Sequence, residues 1–174
     1  MFEKEQCIIY ESAGICKVMD IKKIDIDGMS RDKLYYILEP LNMKGSKIMT
    51  PVEGNKSCMR SILTKEEAND LIHHIEEVEL MWIPNEKQRE ENYKDALRTC
   101  DSRKWVGIIK TLYLRKQDRI SQNKKLPDMD EKYLTKAKEY LYGELAVALG
   151  ISKDEVEEYI TSSIEEKAAL LAEE

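Results

Sequence analysis

Two hydrophobic rhythms divide this chain, and no single element can satisfy both. Through about residue 62 the apolar residues come in short runs broken by turn formers. From Thr64 onward they recur every three to four positions. The first pattern suits strands, whose side chains alternate between faces, and the second suits helices that bury one stripe. Met81-Trp82-Ile83-Pro84 interrupts the helical rhythm and is followed by a charged run over residues 85–94. A Trp-Ile pair beside a Pro, close to Lys87 and Arg89, either plugs a seam between two parts of the chain or is exposed for a purpose.

The first half supplies about five strands. Cys7-Ile8-Ile9-Tyr10 is apolar and Ser12-Ala13-Gly14 is a turn. A second segment over residues 15–24 would place Ile15, Lys17, Met19, Ile21 and Lys23 on one face. Ile24-Asp25-Ile26-Asp27-Gly28 alternates and ends on an Asp-Gly hairpin signal. Residues 33–39, with two Tyr and an Ile, form the strongest strand, and residues 47–52 form another that ends at Pro51. So many short strands in about sixty residues predict a small, strongly bent barrel of SH3 or Tudor type, spanning residues 1–62.

Residues 63–174 predict an all-α unit of about five helices, making the chain α+β. Thr64-Lys65-Glu66-Glu67 is a capping box for a first helix, with Ala68, Leu71, Ile72, Ile75, Val78 and Leu80 on one face, ending before Pro84. Asn85 caps a second helix carrying Tyr93, Ala96, Leu97 and Cys100. Asp101 or Ser102 caps a third, with Val106, Ile108, Ile109, Leu112 and Tyr113 inside and Arg103, Lys104, Lys110 and Arg115 outside. Trp105 falls one residue before that apolar register and is expected at a boundary. Asp128, Asp130 and Glu131 open a fourth helix with acids at its positive end, and Gly150 stops it. Ser152 caps a fifth, whose residues from Glu165 onward are expected to fray.

Composition narrows the chemistry. No Gly-rich phosphate loop, HExxH or nucleophile–His pattern occurs, and the acids fall at surface-type helical positions, so no enzyme and no cofactor are expected. The four cysteines have no CxxC spacing. His73 and His74 are adjacent on a helix and point apart, so no metal is expected and the thiols read as reduced, in a cytoplasm. No apolar run is long enough for a membrane span, and the first residues lack a signal-peptide core. Net charge is −6, yet residues 85–125 hold twelve bases against six acids, and residue 126 onward five against thirteen. A basic middle inside an acidic chain is a local field that can meet phosphate. Taken alone, Trp82 reads as a residue packed between the halves, because Trp is usually well buried.

A further set of residues changes that reading. Ile8-Ile9-Tyr10 with Gly14, Tyr35-Tyr36-Ile37-Leu38, and Met49-Thr50-Pro51-Val52 occur in order in the first half. Trp82, Asn92-Tyr93-Lys94 with Leu97, Leu112-Tyr113-Leu114-Arg115-Lys116-Gln117-Asp118-Arg119, and Ala137-Lys138 with Gly143-Glu144-Leu145-Ala146-Val147-Ala148 follow in the second. In these the chain resembles the CarD family of bacterial transcription regulators over nearly its full length. The resemblance implies a Tudor-like domain that binds the β-subunit lobe of bacterial RNA polymerase by strand pairing. It also implies a helical domain on promoter DNA just upstream of the melted region, where a Trp wedges into the minor groove and stabilises the open complex. Trp82 stands at that Trp.

By the same resemblance Ile48 and Met49, with Lys23 and Ile24 on the neighbouring strand, would meet the polymerase. Lys87, Arg89, Lys94, Lys124 and Lys125 are the candidate phosphate contacts around Trp82. The chain departs from the pattern in three places. It is longer between Trp82 and Asn92, has Glu90 or Glu91 where a base is expected, and has Met49 where an Arg is expected beside Thr50. Few Arg and a weak net positive charge predict feeble binding to free DNA, with polymerase supplying most of the affinity through tethering. The protein is expected to act as a monomer. The alternative is a polymerase-docking module with no direct DNA role, in which Trp82 is a domain plug.

Overall fold

The structure, a computed structural model, describes residues 1–28 and 31–173. It is α+β, with a Tudor-like N-terminal part and a helical C-terminal part, and it divides into two compact units, Met1–Ile62 and Leu63–Glu174.

The first unit is a five-stranded antiparallel sheet of β1 (Cys7–Tyr10), β2 (Gly14–Lys23), β3 (Leu34–Pro40), β4 (Ile48–Pro51) and β5 (Met59–Ser61), in the order β4-β3-β2-β1-β5. Alternation along β3 loads both faces. Tyr36 and Leu38 join Ile8, Tyr10, Cys16 and Val18 in one cluster, whereas Tyr35 and Ile37 join Ile24 in another. The single face expected over residues 15–23 is broken by a bulge between Val18 and Asp20. An extra residue in one strand reverses the alternation beyond it. Met19 therefore packs with the Ile37 cluster while Ile21 crosses to the Val18 cluster. Residues 24–27 lie outside the strands, and Gly28 turns with φ +90, which a residue without Cβ adopts freely. The rest of that connection, Met29 and Ser30, lies outside the described residues. Asn55 links the far ends of the sheet, donating to Thr50 Oγ1 at 2.6 Å and lying 3.7 Å from Met59 Sδ.

The second unit contains α1 (Lys65–His73), α2 (Glu86–Arg98), α3 (Ser102–Ser121), α4 (Asp128–Leu149) and α5 (Val156–Ala172). Each start is written locally. The Thr64–Glu67 capping box is formed in both directions, at 3.1 and 2.8 Å, and Asn85 and Asp101 accept from Gln88 N and Arg103 N at 3.1 and 2.9 Å. Gly150 ends α4 in the left-handed region, with Ile151 N bonded back to Ala146 O.

Several expectations give way to tertiary structure. The first helix ends at His73 rather than before Pro84. After a 3₁₀ turn, Ile75–Glu77, the chain runs without regular structure to Asn85. Lys110 explains the change: it is not on the outside of α3, because its ammonium donates to the carbonyls of Ile75, Glu76 and Val78 at 3.0, 3.0 and 2.7 Å. Helical continuation up to Pro84 would direct all three of those oxygens to amides four residues on. Trp105 is not at a boundary. It is 0% exposed and meets Tyr140 edge-on at 5.5 Å, while Tyr113, expected inside, is exposed. The buried stripe of α3 thus keeps the expected Val106, Ile108 and Leu112 and widens to take in Ser102, Trp105 and Thr111. Finally, α5 continues as helix through Ala172, with Lys167 reaching the His73 carbonyl.

Replacing Lys110 with Met should lower the stability of the helical unit by about 2 kcal/mol, since a charged donor to three carbonyls is removed. Thermal unfolding of the variant should show this as a lower Tm.

Candidate nucleic-acid interface

The irregular stretch over residues 78–85 is fastened to α3 one helical turn at a time. Thr111 Oγ1 accepts from Met81 N at 2.8 Å and donates to Gly107 O at 2.7 Å. Gly107 lets this stretch come close: a Cβ there would lie 3.0 Å from the Glu79 carbonyl oxygen. One turn further on, Arg115 reaches the ring of Trp82, its guanidinium carbon 5.8 Å from the indole centroid. A cation at that distance over a Trp face is held by the ring quadrupole. Trp82 is 55% exposed.

Beneath it lies a buried ion cluster. Asp130, on the first turn of α4, is 0% exposed and receives Arg89 as a fork, Nε to Oδ1 at 2.8 Å and Nη2 to Oδ2 at 3.0 Å. Arg115 Nε pairs with the same Oδ2 at 3.2 Å. The remaining arm of Arg89 donates to the carbonyls of Ile83 and Pro84 at 3.4 and 3.3 Å, the two residues after Trp82. A carboxylate without water needs partners of this kind, and two guanidiniums against one carboxylate leave the cluster with one positive charge. Tyr93 completes it. Its ring packs on Tyr133 at 5.6 Å, and its buried hydroxyl has no hydrogen-bond partner among the described residues. Burial, reinforced by the charge of Asp130, pushes the Tyr93 phenol up to about 12.

This geometry corrects one candidate contact. Arg89 is 2% exposed and cannot reach a phosphate, because its guanidinium is engaged by Asp130 and two carbonyls. Arg115, expected outside, is turned inward as well. Lys87, Lys94, Lys124 and Lys125 are exposed; Lys94 is 3.4 Å from Glu90, and the Lys124-Lys125 stretch leads directly into the helix that carries Asp130. Asp130 was missed by sequence reasoning, yet a signal existed. It lies on the stripe Tyr133, Leu134, Ala137, Tyr140 and Leu141 that α4 buries, where a solvated acid would be out of place.

In the first unit, β4 pairs only with β3 among the described residues, so its outer edge is open. Met49 is 39% exposed on it, whereas Ile48 packs against the core. Two expectations shift. Ile24 is buried in the Tyr35–Ile37 cluster, and Lys23 is opposite Leu34 on β2, separated from β4 by the whole of β3. Neither is on the strand next to the open edge. Among the described residues no group of His, Cys, Asp and Glu could hold a metal ion, and no helix is long and apolar enough to cross a membrane.

Comparison with known families accords with this division. Residues 2–63 match the CarD-like/TRCF RID domain, and residues 70–161 match the CarD C-terminal domain. No curated protein matches the chain. The two matches define a transcription regulator that interacts with RNA polymerase, from a family of non-catalytic factors. The chain belongs to the CarD family.

Tyr93 yields an alkaline signature. Its folded value is raised above the ordinary 10.0, so its contribution to stability is complete below pH 10 and is lost as pH rises toward about 12. Tyr142 is also raised to about 12 by burial and acts in the same window. Tyr93→Phe should leave neutral-pH stability unchanged or slightly higher, because no hydrogen bond is lost, and should remove about 2 kcal/mol of the alkaline loss. Urea unfolding at pH 7, 10 and 11.5 measures both.

Proposed function

We propose that this protein binds the β-subunit lobe of RNA polymerase through its first unit and sets Trp82 into the minor groove at the upstream edge of the promoter bubble, stabilising the open complex. The observation that carries the reading is the exposed indole seated on Arg115, on a stretch fastened by Lys110, Thr111 and Arg89. An apolar wedge must be rigid and accessible if its contacts are to offset unstacking, which costs on the order of a few kcal/mol per step. The open edge of β4 around Met49 suits strand addition, in which backbone groups supply affinity. Lys87, Lys94, Lys124 and Lys125 would meet phosphates. Lys23 and the backbone near Ile24 and Ile48 would contribute to the polymerase contact from the periphery. The protein acts as a monomer in the cytoplasm, where the polymerase is, and must favour the open over the closed complex, since equal affinity for both moves nothing.

A second reading, polymerase docking without DNA contact, draws on the inward engagement of Arg89 and Arg115, which leaves fewer cations for phosphate. Footprinting a promoter–polymerase complex with and without the protein separates the two. Added protection at the upstream bubble edge supports the wedge; an unchanged footprint with retained polymerase binding supports the rival.

Trp82→Ala should shorten open-complex lifetime by about 10- to 100-fold, the equivalent of about 1–3 kcal/mol for a lost base–aromatic contact, while polymerase binding is retained. Dissociation kinetics in the presence of a competitor, beside a polymerase pull-down, check this. Reversing charge at Lys124 and Lys125 should reduce the slope of log K against log salt by about one per lysine contact on fork-junction DNA bound to polymerase.

A further inference from the structure

We infer that Asp130 is a positioning residue for Trp82: through its two arginines it holds the indole ready before any partner arrives. The inference rests on the reading of Trp82 as the wedge and adds what fixes it.

Trp82 lies in a stretch with no helix or strand hydrogen bonds of its own, and a large side chain there would ordinarily sample several rotamers. Two independent restraints act on it, and both converge on one carboxylate. Arg115 lies under the ring at 5.8 Å and is held by Asp130 Oδ2. Arg89 grips the Ile83 and Pro84 carbonyls while its other two nitrogens are fixed by Asp130 Oδ1 and Oδ2. One restrains the side chain, the other the backbone just beyond it. Asp130 is 0% exposed and bonds to both guanidiniums, so its effect on the ring passes through them. Without the carboxylate, both arginines would be cations lacking a counter-charge and would turn outward, as buried charges do when their partner is lost. The ring would lose its platform, and the ordering cost would fall on the binding step.

Helix α4 makes this arrangement rigid. Asp130 is followed on the same buried stripe by Tyr133, Leu134 and Ala137, so its carboxylate is fixed by the packing of the helix as a whole. The cluster's surplus positive charge lies directly beneath the exposed ring.

The test compares the intact protein with Asp130→Asn, Arg115→Met, Arg115→Lys and Trp82→Ala, reading acrylamide quenching and emission anisotropy of the free proteins. Trp105 is 0% exposed, so the quenchable emission reports Trp82. Arg115→Met and Asp130→Asn should both raise the quenching constant and lower the anisotropy, with Arg115→Lys close to the intact protein because it keeps a cation under the ring. Far-ultraviolet dichroism identifies any variant that fails to fold. If Asp130→Asn does so, Arg115→Met, altered at a partly exposed side chain, decides the matter. Unchanged quenching and anisotropy in folded Arg115→Met overturn the inference, whatever the DNA result.

The same variants are then assayed for open-complex lifetime. A decrease of about 2- to 10-fold for Asp130→Asn and Arg115→Met, recovered by Arg115→Lys, is expected for a lost cation–π restraint. In the Trp82→Ala background neither substitution should shorten the lifetime further; an additional loss of similar size there overturns positioning through Trp82. If Trp82→Ala itself has no effect on lifetime, the wedge reading fails, and the fluorescence result alone decides whether Asp130 positions the ring.

Discussion

A carboxylate removed from water and shared by two guanidiniums is the constraint on which the helical unit's candidate site depends. Asp130 brings together α2 through Arg89, α3 through Arg115 and its own helix α4, and the geometry of the Trp82 stretch follows from that convergence. Such a cluster is poor evidence for net stability, because desolvating three charges costs about as much as their attraction returns. What it provides is specificity of arrangement. The forked geometry of Arg89 admits only one orientation of the residues it grips, and apolar replacements would pack without dictating where the indole sits.

The electrostatic picture from sequence changes once the cations are traced. Residues 85–125 carry the chain's basic excess, but a substantial part of it is directed inward or onto neighbours. Lys110 caps carbonyls, Arg89 and Arg115 share Asp130, Lys116 pairs with Glu131 at 3.0 Å, and Lys94 lies beside Glu90. Charge along a sequence reports potential only where side chains are solvated, and folding reassigns several of these to structural work. The protein's field toward a nucleic acid is narrower than its composition implies. On the proposed function, any hold on DNA would then depend on attachment to the polymerase.

How much was legible beforehand varied with the range of the interactions involved. The α+β class, the Thr64 capping box, the Asn85 and Asp101 caps and the Gly150 stop all rest on contacts within a few residues, and sequence displays those directly. The end of α1, the inward turn of Lys110 and the burial of Trp105 depend on partners about thirty or more positions away. Periodicity alone cannot see them. In the sheet, alternation was readable until Val18, where one extra residue inverted it. In the candidate site, Trp82 was singled out by family resemblance, and Asp130 was visible only as an acid on an apolar stripe, a pattern that helix-dipole reasoning explained away too readily.

Helix α4 also bears a second inward carboxylate. Glu144, about four turns beyond Asp130 and likewise 0% exposed, accepts from Leu63 N at 3.0 Å and from the Ser102 hydroxyl at 3.2 Å. One end of this rod thus anchors the entry of the helical unit while the other anchors the indole-bearing stretch. Such a ruler tolerates no change of length: adding or removing a single residue between the two acids would swing one of them by about 100° off the stripe. Length can change without moving either acid off the stripe only outside this span, in connections such as residues 122–127.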